Sequence, residues 1–166
     1  MTYATASVRL DWRKALYALR ARIKAPSGGA TVVVGVLKGS MSDVDNGALD
    51  KSVPIAPYAA VQEFGSKNVP ARPFLRTAYA EHKGEWVKAI GDEAARMGLS
   101  DPAAVLKSVG TLMVGDVRDK IMNGQHLPLN PKTIKAKERK GRPDPSRPLV
   151  DTASMVRHIG YEVRNK

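Results

Sequence analysis

The chain has 166 residues, 27 Lys and Arg against 16 Asp and Glu, a net charge of +11 and no cysteine. That length suits one domain with a real core and is short for two, and the missing cysteine excludes disulfides, thiolate metal sites and a cysteine nucleophile. No apolar run approaches the roughly 20 residues that span a bilayer, and MTYATASVRLDWRK lacks a signal-peptide apolar core, so a soluble protein made in the cytoplasm, without membrane contact, is expected.

In chain order, Trp12, Leu16, Leu19 and Ile23 fall on one helical stripe and predict a first helix over residues 10–24. Pro26, Gly28 and Gly29 end it, and Thr31, Val32, Val33 and Val34 with Val36 and Leu37 predict a buried strand over residues 30–38. Small, acidic and turn-forming residues then predominate, so residues 39–54 are expected to be a mobile loop. Residues 55–64, IAPYAAVQEF, fit a short helix starting near Pro57 and ended by Gly65. Leu75, Ala78, Tyr79, Trp86, Ile90, Ala94 and Met97 predict a long helix over residues 73–97, weakened by up to about 1 kcal/mol at each of Gly84 and Gly91.

Asp101 and Pro102 are an N-cap and first-turn pair for a helix over residues 102–123, with Val105, Val109, Leu112, Val117 and Ile121 as its buried stripe and Asn123–Gly124 as its end. Residues 127–148 are rich in proline and basic side chains, so an extended, poorly packed segment is expected, with Asn130–Pro131 capping one or two helical turns. Asp151 and Thr152 are placed to cap a last short helix through about Arg157, and Ile159, Tyr161 and Val163 alternate as a half-buried strand over residues 158–164. The expected fold is therefore α+β: one domain over residues 1–166, with a small mixed β-sheet covered by three main helices and long loops left for assembly.

The charge is clustered. Residues 9–24 and residues 131–147 each carry a net +5, the second through Lys132, Lys135, Lys137, Arg139, Lys140, Arg142 and Arg147. Such segments favour polyanions or acidic partners. The second contains no aromatic residue for base stacking, so DNA contact would be to phosphates without sequence preference.

Chemistry at a reacting centre is not indicated. His82, His126 and His158 have no metal-ligand spacing, and Asp43, Asp45 and Gly47 lack the remaining ligands of a calcium loop. Gly28–Gly29 precedes a strand instead of following one, which is wrong for a phosphate loop, and Glu81 and Glu85 suit a solvated helix face beside Lys83 and Lys88. No catalytic residue, cofactor or metal is assigned.

Two stretches resemble the minor tail-component or neck proteins of long-tailed bacteriophages, together with the related virion morphogenesis proteins of Mu-type phages. The first is YAAVQEFGSKNVPARPFLRTA, from Tyr58 to Ala78, and the second runs from Leu127 to Val163 through LPLNPKT, PLVDT and IGYEV. Gln62 stands where the family often has histidine, Thr77 where it has a second proline, and Ala153 where glycine often follows Asp-Thr. The resemblance implies a structural virion protein made in the bacterial cytoplasm and located in the neck, forming a homo-oligomeric ring, sixfold first and twelvefold second. Its implied neighbours are a head-closure or connector protein on one side and a tail-terminator or tail-tube protein on the other. The tail terminator of the same junction is the nearest alternative, and a free sequence-independent DNA-binding protein is the alternative from another class.

The first motif also makes physical sense by itself. Pro70 and Pro73 stiffen the approach to the long helix, and Phe74 with Leu75 supplies an apolar anchor where loop becomes helix. Arg72 and Arg76 flank that anchor and are expected to fork onto a neighbouring subunit.

Overall fold

Among the described residues the strands form one three-stranded sheet, against which the helix over residues 102–123 packs. The structure, a computed structural model, describes residues 8–11, 30–37, 39–41, 54–98 and 101–165. Strand β2 (Ala30–Val36) is central and pairs antiparallel with β1 (Val8–Asp11) and with β3 (Ile159–Asn165). The β2–β3 register runs from Ala30 opposite Asn165 to Val36 opposite Ile159. The sheet is thus antiparallel throughout, not mixed. Alternation in a sequence identifies a strand but not its direction, and here the final strand enters beside the end of β2 and runs back along it.

Of the helix expected over residues 10–24, Leu10 and Asp11 belong to β1, and the remainder lies outside the described residues. Val8-Arg9-Leu10-Asp11 has the period of two that a strand takes. Most of the expected loop, residues 42–53, also lies outside the described residues, while its ends meet in a bridge between Met41 and Pro54.

The described helices are α1 (Ile55–Phe64), α2 (Leu75–Met97), α3 (Pro102–Asn123), α4 (Pro131–Arg139) and α5 (Ser154–Arg157). Helix α3 lies between α2 and the sheet, which explains its wide apolar arc. At about 100° per residue, Val105, Leu106, Val109, Met113, Val117, Ile121 and Val114 cover about half the helix circumference, and Leu112 falls just beyond one edge. Leu112 is accordingly 45% exposed, contrary to the expected stripe, and Met113 is buried in its place. The expected stripe of α2 needs the same correction, since Tyr79 and Met97 are exposed while Trp86, Ile90 and Ala94 are buried. Gly110 permits the close approach of α3 to β3, because a Cβ there would stand 2.6 Å from the Tyr161 ring.

Local signals hold at several helix ends. The Asp101 carboxylate accepts from the Ala103 and Ala104 N–H groups, and the Asn130 side chain accepts from Lys132 N–H. Asp151 and Thr152 do not cap α5. Its N-cap is Ala153, in the left-handed region at φ +58°, and Asp151 instead accepts from the Arg142 guanidinium at 3.0 Å.

The segment 127–148 is not an extended excursion. It forms α4 and a set of turns whose inner side is tied down by Lys137. That side chain is only 7% exposed, and its ammonium donates to the carbonyls of Arg147 at 2.8 Å and Val150 at 2.6 Å. A lysine stem buries apolar surface while its head satisfies otherwise idle carbonyls, so a basic sequence packs here without a large apolar complement.

Candidate interaction surface

The first motif folds into a knot between two helices. Glu63 is the one charged residue in α1 and is fully buried. One carboxylate oxygen accepts from Phe74 N–H at 2.8 Å and Leu75 N–H at 2.9 Å; the other accepts from Arg76 N–H at 3.0 Å and from Arg76 Nε at 2.9 Å. A carboxylate from one helix therefore caps the N-terminus of the next, where N–H groups are free and the helix dipole favours negative charge. Gly65 makes the return possible at φ +77°, since a Cβ there would stand 2.9 Å from Ala71 N. Phe74 and Leu75 are both buried, so the expected anchor exists and serves this chain's own core. Pro73 directs its carbonyl to the Thr77 hydroxyl, which donates at 2.7 Å.

Arg72 joins the first motif to the second. It is 4% exposed, and its guanidinium donates through Nε to Leu127 O at 2.7 Å, through Nη2 to Pro128 O at 2.9 Å and through Nη1 to Gln62 Oε1 at 3.4 Å. Expected at a subunit interface, Arg72 is instead engaged inside the chain. The carbonyls of Leu127 and Pro128 lie outside regular structure and need a donor, and the Arg fork supplies two. Arg76 is intermediate. Its Nη2 donates to Glu63 O at 2.7 Å and its guanidinium lies 5.0 Å from the centroid of the Phe64 ring, yet 57% of the side chain is exposed.

Between α1 and α4 the clamp leaves an open groove of about 610 Å³. Val69, Pro70, Pro128, Leu129 and Leu149 give it apolar walls, while Tyr58, Gln62, Asn68, Thr133 and Lys140 bring polar groups to it. Arg72, Lys137 and Asp151 complete the lining that matters for charge. Loss of hydration around the Tyr58 hydroxyl in the groove raises its pKa above the ordinary value, the Asp151 carboxylate adds to the rise, and Arg72 opposes it. Burial pushes the Lys137 ammonium pKa down, with Asp151 and Asp144 opposing.

The seven cations of the basic segment divide by environment. Arg142 pairs with Asp151 and Arg147 with Asp144, and Lys137 is buried. Lys132, Lys135, Arg139 and Lys140 are exposed on α4 or its end, without an ion pair among the described residues. A second exposed feature lies on α1, where Tyr58, Val61 and Phe64 form an apolar stripe one turn apart.

Sequence reasoning missed Glu63, Gln62 and Tyr58. The signal for Glu63 was a lone acid in an otherwise uncharged helix; Gln62 and Tyr58 carried none, because the groove exists only once residues 127–151 close over α1. The histidines serve locally: His126 Nε2 meets Lys120 O, and His158 Nδ1 meets Ser154 O. Among the described residues no group of three or more His, Asp or Glu side chains could hold a metal, and no helix is long and apolar enough to cross a membrane. Compared with protein families, with curated proteins and with solved structures, the chain finds no match.

Proposed function

We propose that this chain is a structural subunit of the bacteriophage head–tail junction, a neck or tail-completion protein that acts by assembling into a ring and catalyses no reaction. The observation that carries the reading is the union of the two family-like stretches. Residues 58–78 and residues 127–163 are about fifty residues apart, yet the Arg72 clamp and the groove are built from both.

In this reading the exposed α1 stripe of Tyr58, Val61 and Phe64, flanked by Arg76, receives the neighbouring copy. The ring is sixfold first and twelvefold second, set between a head-closure or connector protein and a tail-terminator or tail-tube protein. A working subunit interface should bury at least about 1,000 Å². The free cations of α4 favour a second reading, a sequence-independent DNA-binding protein.

Particles assembled without the chain test the proposal. The expected product is filled heads and separate tails by electron microscopy. Normal infectious particles overturn it, and tight salt-sensitive binding of the isolated chain to duplex DNA, with no effect on joining, selects the second reading.

A further inference from the structure

We propose that the groove between α1 and α4 is a docking site for an extended acidic peptide segment of another protein. Its electrostatics are unbalanced. Arg72, Lys137 and Lys140 all line it, and none forms an ion pair with a carboxylate among the described residues. Arg72 and Lys137 are buried and hydrogen-bonded to neutral acceptors, while Asp151, the one carboxylate in the lining, is already engaged by Arg142 and acts on Lys137 only from a distance. Buried positive charge in excess of its counter-charge is costly, and three cations face one carboxylate in this lining, so a ligand carboxylate has a favourable place there.

The polar lining presents donors. Gln62 is nine-tenths buried, its carbonyl oxygen faces Arg72, and its amide nitrogen has no acceptor among the described residues. Asn68, the Thr133 hydroxyl and the Lys140 ammonium are further donors with no side-chain partner among those residues. Backbone carbonyls of an extended peptide satisfy such donors, and Val69, Pro70, Pro128 and Leu129 give its small apolar side chains a wall. Nucleic acid fits less well. A duplex is too wide to enter a concavity of about 610 Å³, and Tyr58 is the only aromatic residue in the lining on which a base could stack.

The peptide's place at the phage junction rests on the proposed function, but its binding does not, so the isolated full chain is tested. The probe is a fluorescein-labelled hexapeptide, Ala-Val-Asp-Leu-Asp-Ala, read by fluorescence anisotropy, with its Asp-to-Asn version as control. Saturable binding below about 1 mM is expected, with the Asn version and the Lys140→Glu variant each weaker by about tenfold or more. Thr133→Trp, which fills the groove from an exposed position, should abolish binding, while Lys135→Glu, outside the groove, should change it by less than about threefold. Unchanged thermal midpoints establish that the variants are folded. No saturation, equal binding of the Asn peptide, or equal loss from Lys135→Glu and Lys140→Glu overturns the proposal. Displacement of the probe by an equimolar 20-base-pair duplex assigns the face to nucleic acid and overturns it as well. Failure of these arms leaves the particle-joining test intact, so the two proposals fail separately.

Discussion

Removing the Glu63 carboxylate should be among the most damaging single changes to this fold. Glu63→Ala strands the Phe74 and Leu75 N–H groups in a buried setting and the Arg76 N–H in a partly buried one. An unsatisfied buried donor costs about 1–3 kcal/mol and a lost N-cap about 1 kcal/mol, so two buried donors, one partial donor and relaxation around them place the loss at about 3–5 kcal/mol. The Arg76 side chain adds little, because it is 57% exposed and can return to water. For a domain of this size the loss corresponds to a fall in Tm of roughly 6–20 °C. Urea titration of the wild type, Glu63→Ala, Glu63→Gln and Arg76→Ala separates the terms. Glu63→Gln keeps one acceptor oxygen and should cost about half as much as Ala, whereas Arg76→Ala leaves the backbone donors satisfied and should cost less than Glu63→Ala, about 1–2 kcal/mol, for the counter-charge it takes from a buried carboxylate. A Glu63→Ala variant within about 1 kcal/mol of wild type, or an Arg76→Ala variant equally unstable, would refute the view that backbone capping dominates.

Phe74→Ala should lose about 3–5 kcal/mol, since the ring is fully buried; an unchanged unfolding midpoint would contradict its role as anchor. Ala153→Gly should raise stability by roughly 0.5–1 kcal/mol, because Ala153 sits at φ +58°, where glycine is relieved of the Cβ clash; destabilisation in urea would count against it. Reversing Lys132, Lys135, Arg139 and Lys140 together to Glu should leave Tm nearly unchanged while impairing head–tail joining; Lys137 must be spared, because its buried ammonium holds two carbonyls. Normal joining by that variant would make the α4 charge a solvated face only. The His82 pKa is raised above 6.5, chiefly by its hydrogen bond to Glu85, with carboxylates of Asp116, Glu85 and Glu81 adding and burial opposing. A raised folded-state pKa stabilises fully below about pH 6.5 and fades as pH rises through the folded value, so the wild-type advantage over His82→Gln should shrink in that direction; a pH-independent difference would contradict it.

Features governed by a few consecutive residues were legible in the sequence. Asp101–Pro102 and Asn130–Pro131 cap the helices expected of them, Gly65 and Gly124 follow the ends of α1 and α3, and Ala30–Val36 is a strand. Their partners lie within a turn or so along the chain, so spacing alone carries the information. The antiparallel direction of β3, the exposure of Leu112, the inward turn of Arg72, the burial of Lys137 and the capping by Glu63 were decided by tertiary structure. The side-chain partners in these last three cases lie 10 to 56 residues away. A charged side chain seen in sequence has the same solvated expectation wherever it stands, and only the arrival of a distant unpaired carbonyl or helix N-terminus makes burying it favourable. The groove belongs to the same class, because its walls come from two segments far apart in the chain that the fold brings together, in part through Arg72.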